Sequence, residues 1–309
     1  MAPVTDGDEI RRREYVRKLA GASLVGTTSV AGCVSGSNDE QSTVPRDVTP
    51  ERSREVVRSL DEYDWSLTVE DAFDTIDGSI WGYEVGNGHD KGVPGWGNSE
   101  LQYYTAGENA RIENNHLVIE ARREDRSDEY GEYDYTSARM ITQDSLTVAS
   151  GRVDINAKLP TGQGIWPALW MLGSNIDTVG WPACGEIDIM ELVGHEPSTV
   201  HGSVHGPQYS GKNSLSGSYE LPEATFADDF HTFSIAWTAA GISWFVDDDR
   251  YYTVTRSEIA NNYGQWVFDG PFFFIFNIAV GGDWPGAPDE TTAFPKQMEI
   301  NRLSLYERV

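Results

Sequence analysis

From Trp65 to the C-terminus, apolar residues come in short runs or strict alternation, broken every few positions by Gly, Asn, Asp and Pro. The segments are HLVIEARRE (116–124), SLTVASGRVDINAKLP (145–160), VHGSVHG (200–206), HTFSIAWTAAGISWFVDDDRYYTV (231–254), PFFFIFNIAVGG (271–282) and MEINRLSLYE (298–307). Period-two patterning at this spacing predicts strands, and few stretches hold a helical period. An all-β sandwich of antiparallel strands follows. ISWFVDDDRYY reads as a hairpin turning through Asp247-Asp248-Asp249, its aromatic residues marking core and its acids a solvated turn. No internal repeat and no second break in texture divides 65–309, which is read as one domain.

The N-terminal residues differ. Arg12-Arg13 precede a short small-and-apolar run ending in Val30-Ala31-Gly32-Cys33. This resembles a twin-arginine secretion signal (1–32) with a lipoprotein cleavage box, and the run is too short to span a bilayer, which takes ~20 apolar residues. The expectation is an exported chain lipid-modified at Cys33, its only membrane contact, with residues 33–64 a polar, charged tether. Cys184 then has no disulfide partner, and with no base arranged beside it reads as a small buried hydrophobe.

The formal net charge of −26 argues against nucleic acid or anionic membrane surfaces as partners. Five Lys stand among 23 basic residues, against 49 acids, a balance that resembles proteins of salt-loving organisms.

Acids this numerous fall close together readily on a solvated face, so spacing must separate a site from surface. In CGEIDIMELVGHEP (184–197), a helix would scatter Glu186, Asp188 and Glu191 to roughly 0°, 200° and 140° around its axis. A strand puts Glu186 and Asp188 on one face and Ile187 and Ile189 on the other, with Glu191 at the wrong parity. Glu191 rejoins the acid face only if one residue near Ile189 and Met190 is absorbed in a β-bulge. Two such carboxyls suit glycoside cleavage, one protonating the leaving oxygen while the other attacks or activates water. Trp166, Trp170 and Trp181 precede the acids closely enough that at least one should be a sugar-stacking platform. His201 and His205 share a strand face but make a weak metal site, so a sugar-binding or proton-sharing His is the better reading.

The motif GEIDIME resembles the bulged E-x-D-x-x-E signature of glycoside hydrolase family 16, in the form typical of its laminarinases. GWGNSELQYYT (95–105), SARM (137–140), GRVDINAKLPTGQGIWPALWMLG, GWPACGEIDIMELVG, VHGPQYSG, DFHTFSIAW and NIAVGGDWPG resemble that family's segments in its order, over about residues 65–309. The resemblance implies a jelly-roll β-sandwich with a concave substrate cleft and a retaining endo-β-1,3-glucanase acting on a β-glucan polysaccharide; the chain is expected to be a monomer that requires no cofactor. It implies Glu186 as nucleophile, Glu191 as general acid/base and Asp188 as the carboxylate between them, with Asn98, Arg139, Trp166, Trp170, Trp181 and His205 along the cleft. Many members carry calcium on the convex side. Here Asp71-Ala72-Phe73 stands where relatives often read Asp-Glu-Phe, and Asn301 where they often have Asp, so a structural calcium stays open but doubtful. Two alternatives stay open: a same-fold enzyme acting on mixed-linkage β-1,3-1,4-glucan or an agar-type galactan, and a non-catalytic glucan-binding protein, which has no need of the acid pair.

Overall fold

The computed structural model describes residue 59 and residues 62–309. The signal at 1–32, Cys33 and nearly all of the 33–64 tether lie outside the described residues.

Within them the strands are β1 (Trp65–Asp71), β2 (Gly82–Glu84), β3 (Gln102–Tyr104), β4 (Ala110–Glu113), β5 (His116–Ser127), β6 (Glu132–Ser137), β7 (Arg139–Ile141), β8 (Thr147–Val148) and β9 (Gly151–Lys158). They continue as β10 (Ile165–Gly173), β11 (Glu186–Glu191), β12 (Thr199–His205), β13 (Leu215–Glu220), β14 (His231–Thr238), β15 (Gly241–Val246), β16 (Asp249–Thr255), β17 (Phe272–Val280) and β18 (Lys296–Arg308). One sheet runs β13-β12-β11-β10-β17-β7-β2 with β8 on β17; the other runs β16-β15-β14-β9-β18-β5-β6-β3 with β1 and β4 attached. Two sheets packed face to face form the jelly-roll sandwich that the patterning and the resemblance predict. One pair departs from the antiparallel rule: β3 lies parallel to β6.

Alternation explains the core. From β10 and β11 the inward residues are Leu169, Met171, Ile187, Ile189 and Met190; β9, β14 and β15 face them with Val153, Ile155, Phe233, Ile235, Trp237, Ile242 and Trp244, all buried. Each such side chain contributes about 1.5–3 kcal/mol by leaving water. β17 is apolar on both faces because it is covered on both: Phe274 and Phe276 join the core, while Phe273 and Ile275 pack with Leu172 and Cys184 in a separate cluster on the other face. Cys184 is buried there as a free thiol, which burial and the nearby charge of Glu186 push up to about 11, so it stays protonated and packs as a small hydrophobe. The hairpin after β15 turns through Asp247 and Asp248, both at positive φ, with Val246 opposite Asp249. That is the two-residue turn whose twist suits a hairpin.

Asp71 and Asn301 are both engaged in internal hydrogen bonds. Asp71 accepts from the Phe73 amide (2.9 Å) on one carboxylate oxygen and from the Trp81 indole (2.9 Å) on the other. Asn301 donates to the Asn156 side-chain oxygen at 3.0 Å.

Candidate active site

Glu186 lies opposite Leu172 of β10 and His205 of β12, Asp188 opposite Trp170 and Ser203, and Glu191 opposite Ala168 and His201. From Asp188 to Glu191 is three steps along β11 but only two along either neighbour, and Met190 pairs with Leu169. Ile189 is therefore the extra residue. Ile189 and Met190 turn into the core in succession, 1% and 0% exposed, and the parity of the strand is reset so that Glu191 emerges beside the other two acids. The bulge that the spacing required is present.

The bulge is tied to the opposite sheet. Trp244 of β15 donates its indole N–H to the Asp188 carbonyl at 2.8 Å, across the buried core. Gly202 makes room for it: a Cβ there would lie 2.4 Å from Trp244 Cδ1 and 2.5 Å from the Tyr251 hydroxyl.

A pair of variants tests this geometry. Deleting Ile189 leaves Glu-Ile-Asp-Met-Glu, whose plain alternation keeps the last Glu on the cleft face, and is expected to retain hydrolysis reduced by ~10²-fold through about 1 Å of misplacement. Exchanging Glu191 and Leu192 sends the carboxylate to the core side, where Leu192 is fully buried. An unpaired buried carboxylate costs several kcal/mol, so this variant should be inactive and less stable. An active exchange variant beside a folded, dead deletion variant would contradict the register.

Both outer carboxylates are held by indoles. Trp181 donates to Glu186 at 3.0 Å and Trp166 to Glu191 at 3.1 Å. Asp188, buried between them, accepts the Ser203 hydroxyl, and His205 Nε2 lies 3.2 Å from Asp188 and 3.5 Å from Glu186. Burial first, and then the charge of Asp188, push Glu186 above the usual carboxylate range, against the lowering influence of the Trp181 hydrogen bond and Arg139. The same two causes carry Glu191 well above the usual carboxylate range. A carboxyl raised in this way suits a group that keeps a proton to donate.

Glu186, Asp188 and His205 offer ligand atoms within 4.8 Å of one another, which raises a metal reading. The hydrogen bonding opposes it. A metal-bound imidazole normally donates its other ring N–H to an acceptor. Here the Gly211 amide donates to His205 Nδ1 at 3.0 Å, so a donor sits where the acceptor is needed. The residues present do not fit a metal.

The other sequence-derived cleft residues divide into two groups. Trp166, Trp181 and His205 join the acids directly, and Trp181 is 48% exposed, open to a ring stacked on it. Trp170 and Arg139 form the adjoining floor: the Arg139 guanidinium is sandwiched between the rings of Trp96 (4.4 Å) and Trp170 (4.6 Å) and paired with Glu84, while the Trp170 indole donates to Asn277 at 2.7 Å. Asn98 is exposed and donates to Glu100 at 3.1 Å, beside this floor rather than among the acids. Four residues were not singled out from the sequence: Trp96, Ser203, Asn277 and Trp284. Trp284 is 42% exposed and packs edge-on against Trp166 (5.6 Å) and His201 (5.0 Å). Its signal was available, since a Trp inside the turn GGDWPG has no strand to bury it. Ser203 could have been found by parity, lying between His201 and His205 on one face.

The profile of Glycosyl hydrolases family 16 matches residues 97–302, the segment that holds the whole acid strand and its neighbours. The chain belongs to that family. The family 16 chain is 43% identical over 259 residues to a beta-glucanase from Rhodothermus marinus, covering 79% of this chain and 86% of that one. Among solved structures it is similar to the laminarinase catalytic domain from Thermotoga maritima (56% identity, TM-score 0.78, covering 80% of this chain and 99% of that one). It is also similar to the endo-beta-1,3-glucanase from Pyrococcus furiosus (48% identity, TM-score 0.79, covering 81% and 97%). The resemblance read from GEIDIME and its companion segments is therefore correct, and this family 16 protein is a glycoside hydrolase.

Proposed function

We propose that this hydrolase cleaves internal linkages of a laminarin-type β-1,3-glucan by double displacement. The carrying observation is the bulged β11, which brings Glu186, Asp188 and Glu191 to one face with an indole on each outer carboxylate. Glu186 attacks the anomeric carbon while Glu191 gives its proton to the glycosidic oxygen; the C–O bond breaks and a glycosyl ester forms on Glu186. Glu191, now ionised, takes a proton from water, whose oxygen attacks the same carbon and releases Glu186. Asp188 stands beside Glu186 as the assisting carboxylate, held by the Ser203 hydroxyl, and Trp181, Trp166 and Trp284 supply apolar faces for successive pyranose rings. Similarity to a laminarinase and to an endo-β-1,3-glucanase supports the linkage assignment.

The test is release of reducing ends from β-1,3-glucan, mixed-linkage glucan and agarose in parallel, in dilute buffer and in molar KCl. Preference for either of the last two would reassign the substrate within the fold. Release from none would favour a glucan-binding protein.

For placement in the cell, the N-terminal sequence supports export and lipid anchoring at Cys33. Cys33→Ser is expected to move the protein from the membrane fraction to the soluble one, and a soluble wild type on fractionation would overturn the anchor.

A further inference from the structure

Both nitrogens of His205 have partners, and the two sides differ in kind. Nε2 faces Asp188 (3.2 Å) and Glu186 (3.5 Å), both acceptors. Nδ1 faces the Gly211 backbone N–H at 3.0 Å. A backbone amide cannot become an acceptor, so Nδ1 must offer its lone pair and the ring's single proton must sit on Nε2.

The amide is held where it is by the turn that carries it. Gly206 and Tyr209 exchange both backbone hydrogen bonds (2.9 and 3.0 Å), and the Tyr209 ring is fully buried with its hydroxyl donating to the Gln265 carbonyl at 2.8 Å. A Cβ at Gly206 would lie 2.3 Å from the Tyr209 hydroxyl oxygen, so the close approach needs glycine. Gly211 itself is at φ +57. The turn is thus anchored in the core while its amide points at the imidazole.

We infer that the Gly211 amide locks His205 as the neutral, Nε2-protonated tautomer, making residues 206–211 a positioning element that aims one hydrogen bond at Asp188 and Glu186. This rests on the proposed catalytic reading for its purpose, though not for its geometry. The charged groups around the ring are Glu186, Asp188 and Glu191 on β11, with Arg139 acting on Glu186 from β7 and Lys212 exposed just after the turn. Burial disfavours the imidazolium, but the negative charge beside it, that of Glu186 first and then Asp188, outweighs it and pushes the ring up to about 10. That field and the hydrogen bonding point in opposite directions, and geometry decides: a second proton would have to go on Nδ1, putting two N–H groups head to head at 3.0 Å. His205 therefore holds its proton through turnover. Proton transfer belongs to the carboxylates.

The experiment is nitrogen NMR on the full wild-type chain labelled at histidine, without ligand, from about pH 5 to about pH 8, the window in which an ordinary His titrates. The His205 signals, assigned by their loss in His205→Gln, should show one N–H on Nε2 and a bare Nδ1 throughout. Two N–H signals at neutral pH, or a proton on Nδ1, would overturn the inference whatever the substrate proves to be. Activity gives the second readout. Gln places an amide donor near the Nε2 position, so His205→Gln should keep activity within about tenfold, while His205→Leu loses more, up to about a hundredfold, as for a lost hydrogen bond to a charged group. Equal loss in both variants would show that the ring does more than donate.

Discussion

Glu186→Gln is expected to abolish glucan hydrolysis, by on the order of 10⁴-fold or more, while glucan binding survives. The amide has the shape of the carboxylate, and its oxygen can still accept the Trp181 indole that now lies 3.0 Å from Glu186. It lacks the charge needed to attack the anomeric carbon and form the ester. Removing a negative charge beside buried Asp188 also relieves repulsion, so the variant should fold at least as well as the parent. Reducing-end assays and calorimetry on the same preparation check this. A folded Glu186→Gln protein that no longer binds glucan would count against the assignment, as would one that still turns over.

Glu191→Ala separates acid from nucleophile. Loss of the proton donor should slow laminarin cleavage by about 10²–10⁴-fold. An aryl glycoside with a good leaving group needs no protonation, so its glycosyl-enzyme should still form and then stall for want of a base. Azide, an anion that the missing carboxylate no longer repels, should speed breakdown and appear in the product. The pH dependence has a definite sign. As the proposed acid, Glu191 must act when protonated, and burial with Asp188 raises it, so wild-type activity is expected below its pKa and should fall as pH climbs through it. That basic limb should disappear for the aryl substrate in Glu191→Ala. Loss of aryl turnover as complete as that of laminarin, with no azide effect, would remove Glu191 from the role.

Local period made the strands, the acid strand and the need for a bulge legible, because each is a statement about which face a residue takes within one segment. Glu191's wrong parity was the informative defect: it demanded one extra residue, and Ile189 is that residue. Contacts between distant segments were less legible. The Arg139 sandwich joins Trp96, Trp170 and Glu84 from three places in the chain, and the parallel pairing of β3 with β6 leaves no mark on the alternation of either strand. The Gly211 amide on His205 is a backbone donor, invisible in any pattern of side chains.

The bond from the Trp244 indole to the Asp188 carbonyl has a mechanical consequence. Packed layers can accommodate ligands by sliding past one another in small shear steps. Trp244 enters the acid strand's layer through the gap left by Gly202 and is fastened at the bulge, so it acts as a key between the two sheets at the position where the acids stand. Shear there would break the bond and drive the indole into the β12 backbone. Adjustment to a glucan chain is therefore expected at the rim, in turns such as the one bearing Trp284, rather than in the acid strand.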